Sequence, residues 1–143
     1  MNDQTTHKCA GKEKLHTIWW MLKVTYGGAA LVLGLDKFLD LIAFWPLFVS
    51  PIVTAIVPFS IPPLLKIVGS TEIFVGLLIL TWWPRFGAYL LAAWILFVAI
   101  NLASMGQYYD LIARDLVIAV GAIAFAMLTD VIKSDCYECR ASS

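Results

Sequence analysis

Long apolar stretches that carry few charged side chains constrain this chain more than any other feature of its sequence. They lie at residues 17–39, 63–82, 86–104 and 114–132, and a helix of about 20 apolar residues crosses a bilayer core about 30 Å thick. Hydrophobic residues make up 61% of the 143 residues and charged residues only 14%, whereas about a quarter of a soluble domain is charged. The sequence therefore predicts an all-α integral membrane protein, a bundle of four transmembrane helices.

The two ends of the chain are polar and divide it into three segments. We predict an N-terminal tail at 1–16, the transmembrane bundle at 17–132 and a C-terminal tail at 133–143. The first apolar stretch is longer than the hydrophobic region of a signal peptide. It leads into Asp36 and Lys37 rather than into a small-residue cleavage site, so we predict that it is retained as a span. The net charge is zero, and nothing indicates binding to nucleic acid.

Residues 41–62, here called the proline-rich segment, are apolar but unlike a span. They contain no charged residue, and prolines lie within or directly after them: Pro46, Pro51, Pro58, Pro62 and Pro63. Proline removes a backbone donor and kinks a helix, and irregular backbone is not tolerated against lipid. We therefore predict short helical pieces that lie at the interface or re-enter the membrane. A kinked fifth span is the alternative, and it would place the C-terminus on the opposite side.

The distribution of basic residues gives an orientation for a four-span bundle. Six of them flank the spans on the side of both termini: Lys8, Lys12, Lys14, Arg85, Lys133 and Arg140. Three flank the spans on the other side: Lys37, Lys66 and Arg114. By the positive-inside rule, this excess predicts that both termini are cytoplasmic.

Two ionisable residues stand out within the predicted spans, where a charge is costly and by default marks function or a specific pairing. Glu72 lies near the middle of span two. Its functional interpretation is a proton carrier or a ligand for a polar headgroup, and its structural interpretation is a buried ion pair or a neutral, hydrogen-bonded acid. Lys23 lies about one and a half turns into span one, and its long stem can reach the near interface.

Further polar residues gather where the spans end on the side opposite the termini. With Glu72 beneath them, they form a candidate ligand-binding cluster at one level of the bundle: Asp36, Lys37, Lys66, Glu72, Asn101, Arg114 and Asp115. The alternative is that these are the ordinary charged ends of spans. Asp115, for example, also complements the dipole of the helix that it opens.

The cysteines provide only a weak candidate for a metal site. Cys136 and Cys139 have metal-ligand or dithiol spacing, but one such pair supplies half a zinc site. Cys9 with His7 or His16 would be needed to complete it. A redox-active dithiol is a second interpretation, and inert reduced thiols are the interpretation that we favour, so no metal is predicted.

Motifs of autonomous enzymes are missing from the sequence. It contains no phosphate-binding glycine loop, no nucleophile with a plausible base and no histidine pair within a span. These observations argue against an ATPase, a hydrolase or a cytochrome. The aromatic residues suit a lipid or a quinone ring, although lipid-facing bulk is the commoner role: Trp45, Phe48, Phe59, Trp94 and Phe97.

Three motifs, taken in their order and spacing, resemble those of DoxX-like membrane proteins. They are Gly34-Leu35-Asp36-Lys37-Phe38, the stretch Val68-Gly69-Ser70-Thr71-Glu72-Ile73-Phe74-Val75-Gly76, and Tyr108-Tyr109-Asp110 followed by Arg114-Asp115. The resemblance covers roughly residues 22–130. It implies a four-helix bundle in a bacterial or archaeal cytoplasmic membrane, and an association with quinone-linked oxidases or thiosulfate oxidation. It also implies site residues at Lys37, Glu72, Arg114 and Asp115.

Three functions remain open at this point. The favoured one is a non-catalytic, accessory subunit of a membrane redox complex, which packs among lipids against a larger membrane partner and accepts a quinone near Glu72 and Lys37. The second is a small homo-oligomeric transporter or channel that uses Glu72 as a proton or solute site. The third is a structural assembly factor without a ligand.

Overall fold

Helices form the whole of the regular structure in the part of the chain that can be described. The computed structural model describes the backbone of residues 3–58 and 60–141, and the side chains of residues 13–58 and 60–133. Five α-helices and one 3-10 turn (Trp45–Phe48) lie in these residues: α1 (Asp3–Leu39), α2 (Pro51–Ile56), α3 (Ile61–Leu80), α4 (Pro84–Ser104) and α5 (Tyr109–Ala141). The predicted all-α class is confirmed.

Four of the helices are long and apolar enough to cross a membrane. The candidate spans are Glu13–Leu39, Ile61–Leu80, Pro84–Ser104 and Tyr109–Lys133. They coincide with the four predicted spans to within a few residues, so the chain is a multi-pass membrane protein. Helices α1 and α5 also continue beyond their spans into the polar terminal segments.

The proline-rich segment forms short helical pieces, as predicted. Helix α2 has six residues and is therefore about 9 Å long, far too short to cross a bilayer. Each piece begins with a proline in its first turn, where the missing N–H has no partner to lose. The Ser50 hydroxyl accepts a hydrogen bond from the Val53 amide and caps α2. The alternative of a kinked fifth span is wrong.

Helices α1 and α3 run antiparallel with their backbones in contact. Gly27 and Gly34 of α1 face Gly76 and Gly69 of α3, respectively. A Cβ atom on Gly69 would lie 2.7 Å from the Gly34 carbonyl oxygen, and one on Gly76 would lie 2.9 Å from the Gly27 carbonyl oxygen. Membrane helices associate by such close packing of small residues. These four glycines are here called the glycine seam, and a larger residue does not fit at their positions.

A core of mostly small and medium-sized side chains, with the large ring of Phe125, joins this helix pair to the pair formed by α4 and α5. Its fully or nearly fully buried members are Ala30, Val75, Ile79, Ala88, Leu91, Ala92, Ala122, Phe125 and Ala126. Successive spans alternate in direction, so the α1 N-terminus and the α5 C-terminus leave the bundle at one end, here called the terminal end. The proline-rich segment covers the opposite end, here called the capped end.

Candidate functional site

A buried ion pair lies at the capped end, where the last turn of α1 meets the middle of α3. The Lys37 Nζ donates to Glu72 Oε2 over 2.6 Å, and the two side chains are only 6% and 12% exposed. The close approach of Gly34 to Gly69 brings the two helix backbones near enough for this contact. The ion pair is what allows two charges to remain inside an apolar bundle.

Two indole groups complete the environment of the ion pair. Trp94 of α4 donates its Nε1–H to Glu72 Oε1 over 3.3 Å. The Lys37 Nζ lies 3.6 Å from the centroid of the Trp45 ring, which is a close cation–π contact. Both oxygens of the Glu72 carboxylate therefore have a donor, and the ammonium of Lys37 is held between the carboxylate and an aromatic face.

Asp36 holds the proline-rich segment against the bundle. Helix α1 ends where Asp40 adopts a positive φ of 49°, and the chain then turns back over the Asp36 carboxylate. Asp36 Oδ1 accepts the amides of Leu41 and Ile42 at 2.9 and 2.8 Å. Its Oδ2 accepts the Ala43 amide at 3.3 Å and the indole N–H of residue 45 at 2.7 Å. Asp36 thus fixes the indole that covers Lys37.

Asn101 of α4 attaches the same segment from the other side. Its Nδ2 donates to the Phe48 carbonyl oxygen over 2.8 Å, and its Oδ1 accepts the Ser50 amide at 3.3 Å. The Phe48 ring also meets Tyr108, which precedes α5, edge to face at 5.4 Å between centroids. The proline-rich segment is consequently attached to α1, to α4 and to the start of α5.

Three residues of the predicted cluster, Lys66, Arg114 and Asp115, form no hydrogen bond or ion pair with Lys37 or Glu72. Arg114 bonds to its neighbour Asp115, with Nη2 at 2.9 Å and Nε at 3.0 Å from Oδ1. Asp115 is buried while Arg114 is exposed. Lys66 is exposed on the outer face of α3, where it lines an open groove with Ile67, Ser70, Thr71 and Phe74. Of the seven predicted residues, four therefore form the ion pair or hold the proline-rich segment, and the other three take no part in these contacts.

Three residues contribute to the site in ways that were not predicted from the sequence. Trp45 and Trp94 were predicted to be lipid-facing bulk or, less commonly, faces for a lipid or quinone ring. Neither role indicated that both indole N–H groups bond to carboxylates. Ser50, within the proline-rich segment, is buried, and its amide donates to Asn101 of α4. Its signal is visible in the sequence, since a serine directly before a proline is a common start of a helix.

The weak metal candidate falls outside the described part of the chain. The side chains of Cys9, Cys136 and Cys139 are not among those that the structure describes. Among the described side chains, no group of three or more histidine, cysteine, aspartate or glutamate residues is placed to hold a metal ion. Comparisons of the chain with protein-family models, with curated proteins and with solved structures found no match.

Proposed function

We propose that this membrane protein is DoxX-like and acts as an accessory subunit of a quinone-linked redox complex. The observation that carries the proposal is the buried Lys37–Glu72 ion pair, which lies between the indoles of Trp45 and Trp94 at the capped end. These two charged residues are among the four that the sequence resemblance implies, with Arg114 and Asp115. Binding and orientation of a polar headgroup, rather than bond-making chemistry, is what such an arrangement supports.

The residues around the ion pair suit a quinone headgroup, which supplies two-electron redox chemistry when it is bound. Such a headgroup is a flat ring with two carbonyl acceptors. Lys37 has three N–H donors, of which one is directed to Glu72. The rings of Trp45, Phe48 and Tyr108 lie next to one another at the capped end and offer flat apolar faces.

An accessory role is supported by the large outer surface of the bundle. In the most hydrophobic 18-residue stretch of each span, at most 33% of the residues are buried inside the bundle. The other residues of these stretches are partly or fully exposed, and lipid or the helices of a larger partner can cover them. We propose that a membrane redox enzyme occupies part of that surface.

The alternative of a channel or transporter is less well supported. It requires Glu72 to take up and release a proton or a solute as part of its cycle. Both oxygens of this carboxylate have donors, from Lys37 and Trp94, so the group is already engaged within the bundle. The arrangement favours a fixed binding surface over a conducting pathway.

A native pull-down in mild detergent tests the proposal. It compares the wild-type chain with Lys37→Met, Glu72→Gln and Lys66→Met, using mass spectrometry of co-purifying proteins and of extracted quinones. The exposed Lys66 is the matched control, since it is a lysine outside the ion pair. We expect an oxidase or dehydrogenase subunit in stoichiometric amount, with quinone that is retained by the control and lost from the other two variants.

Other outcomes of the pull-down separate the alternatives. Recovery of the wild-type chain alone, as a homo-oligomer without quinone, would overturn the accessory role and lead to a proton-flux assay of Glu72→Gln in liposomes. Recovery of a partner but never of quinone, together with lower abundance of the ion-pair variants, would instead indicate an assembly factor.

The proposed location is the cytoplasmic membrane of a bacterium or archaeon, with both termini in the cytoplasm. All three cysteines belong to the terminal segments. A membrane-impermeant maleimide should therefore label inverted vesicles and leave intact spheroplasts unlabelled. Labelling of spheroplasts would contradict the orientation without affecting the fold.

A further inference from the structure

Lys23 of α1 lies at the level of the membrane interface, at the terminal end. The glycine seam sets this level, because Gly27 packs against Gly76 of the antiparallel helix α3. Lys23 is one turn, about 6 Å, nearer to the N-terminus, which places it opposite the end of α3 at Leu80. The exposed Trp82 of the following turn marks the same level, as tryptophans commonly do at membrane interfaces.

Two tryptophans of α1 form a box for this lysine. The Lys23 Nζ lies 5.0 Å from the centroids of both the Trp19 and the Trp20 rings, which meet each other edge to face. Trp19 is held in place because its Nε1–H donates to the buried Thr129 hydroxyl of α5 over 2.9 Å. The box is therefore fixed by the packing of α1 against α5.

Lys23 has no acidic partner among the described residues. The ion pairs there join Lys37 to Glu72, Arg85 to Asp130 and Arg114 to Asp115. Asp130, the acid next to Thr129, is engaged by Arg85 at 3.0 Å. Lys23 is nevertheless only 7% exposed. An ammonium at the edge of a membrane that contacts aromatic faces but no anion has an uncompensated positive charge.

The tip of Lys23 is not fully enclosed by the surrounding side chains. No buried side-chain nitrogen or oxygen among the described residues lacks a hydrogen-bond partner, and the Nζ has none there. The Nζ therefore keeps accessible surface while the stem is buried. Beside it on α1, Trp20 and Val24 are exposed, so a ligand at this point meets a charge together with an apolar surface.

We infer that Lys23, with Trp19 and Trp20, binds the phosphate of an anionic phospholipid headgroup. The ammonium supplies the charge, the indoles are amphipathic groups suited to the headgroup level, and the exposed Val24 offers an apolar contact to the acyl chains. This combination favours a lipid over free phosphate, which has no apolar part. The inference uses no residue of the capped end and is independent of the proposed redox role.

Native mass spectrometry of the purified chain in detergent tests the inference. Titrations with phosphatidylglycerol and with phosphatidylcholine are compared for the wild-type chain, Lys23→Gln, Lys23→Arg and the control Lys66→Gln. We expect the wild-type chain to prefer phosphatidylglycerol. Lys23→Gln should lower that affinity about fivefold, the factor expected for one basic residue at an anionic membrane surface. Lys23→Arg and Lys66→Gln should retain the preference.

A variant that keeps the charge of Lys23 distinguishes loss of lipid binding from misfolding. Trp20 is half exposed, so Trp20→Leu should leave the bundle intact and still weaken phosphatidylglycerol binding by removing one wall of the box. Unchanged phosphatidylglycerol affinity in both Lys23→Gln and Trp20→Leu would overturn the inference. So would an equal loss in Lys66→Gln, or displacement of the lipid by inorganic phosphate at the same concentration.

Discussion

Removing either partner of the Lys37–Glu72 ion pair should destabilise the bundle strongly, and removing both should restore most of the loss. At 2.6 Å, two unit charges attract each other by about 6 kcal/mol at an effective dielectric constant of about 20. Their desolvation offsets most of this attraction, whereas breaking a buried pair from one side costs about 3–5 kcal/mol because it leaves an uncompensated charge. We expect losses of that size for Lys37→Met and for Glu72→Leu.

The double variant Lys37→Met/Glu72→Leu should lose less than about 2 kcal/mol, since apolar replacements of a buried pair are often close to neutral. Part of that loss comes from the Trp94 indole N–H, which no longer has its acceptor. The resulting coupling energy is about 4 kcal/mol or more, well above the roughly 0.5 kcal/mol within which independent sites add.

Reversible unfolding in mixed micelles, with increasing fractions of sodium dodecyl sulfate and detection by tryptophan fluorescence, measures these free energies. Lys66→Met is the control, because Lys66 is exposed on α3 and makes no ion pair among the described residues. Its unfolding free energy should change by less than about 0.5 kcal/mol. Losses in the double variant equal to the sum of those in the single variants would refute the reasoning.

Three further changes test the packing and the attachment of the proline-rich segment. Gly69→Ala should destabilise the bundle by about 1–3 kcal/mol through overpacking, since its Cβ would lie 2.7 Å from a backbone oxygen. The control Gly28→Ala, whose Cβ would meet no atom within 4 Å, should be neutral or slightly stabilising in the same unfolding assay. Equal effects of the two variants would contradict the glycine seam. Asp36→Asn should cost about 3 kcal/mol, since each hydrogen bond to a charged group contributes about 1.5–3 kcal/mol, and should speed hydrogen exchange of amides 41–43. Asn101→Leu should cost about 2 kcal/mol and speed exchange at Ser50 while α1 stays protected; unchanged exchange in either variant would show that these contacts do not hold the segment.

The four spans could be predicted because length and apolar character alone decide which segments can cross a bilayer. Which glycines pair was harder to predict from the sequence, since Gly27, Gly28 and Gly34 all lack a side chain that would keep another helix away from span one. Their spacing contains the missing signal. Residues seven apart lie on nearly the same face of a helix, as Gly27 and Gly34 do in α1 and Gly69 and Gly76 do in α3. Gly28 is turned away from that face.

The composition of the site depended on geometry that a linear sequence does not contain. Lys66 and Glu72 each lie three residues from Gly69, so they project about 60° to either side of its direction. In the bundle, one of these sides meets Trp94 of α4 and the other is exposed. Sequence spacing treats the two sides alike, because it does not specify on which side of α3 helix α4 packs.

The two ends of the bundle solve the same electrostatic problem in different ways. At the capped end, the charge of Lys37 is compensated inside the chain by Glu72. At the terminal end, Lys23 has only aromatic faces among the described residues, and the anion that we infer for it belongs to a lipid outside the bundle. A variant at Lys37 should therefore change the unfolding free energy in any detergent, whereas a variant at Lys23 should change how that free energy depends on anionic lipid. Since the two ends share no residue, failure of the quinone proposal would leave the lipid inference standing, and failure of the lipid inference would leave the ion pair and its coupling energy unaffected.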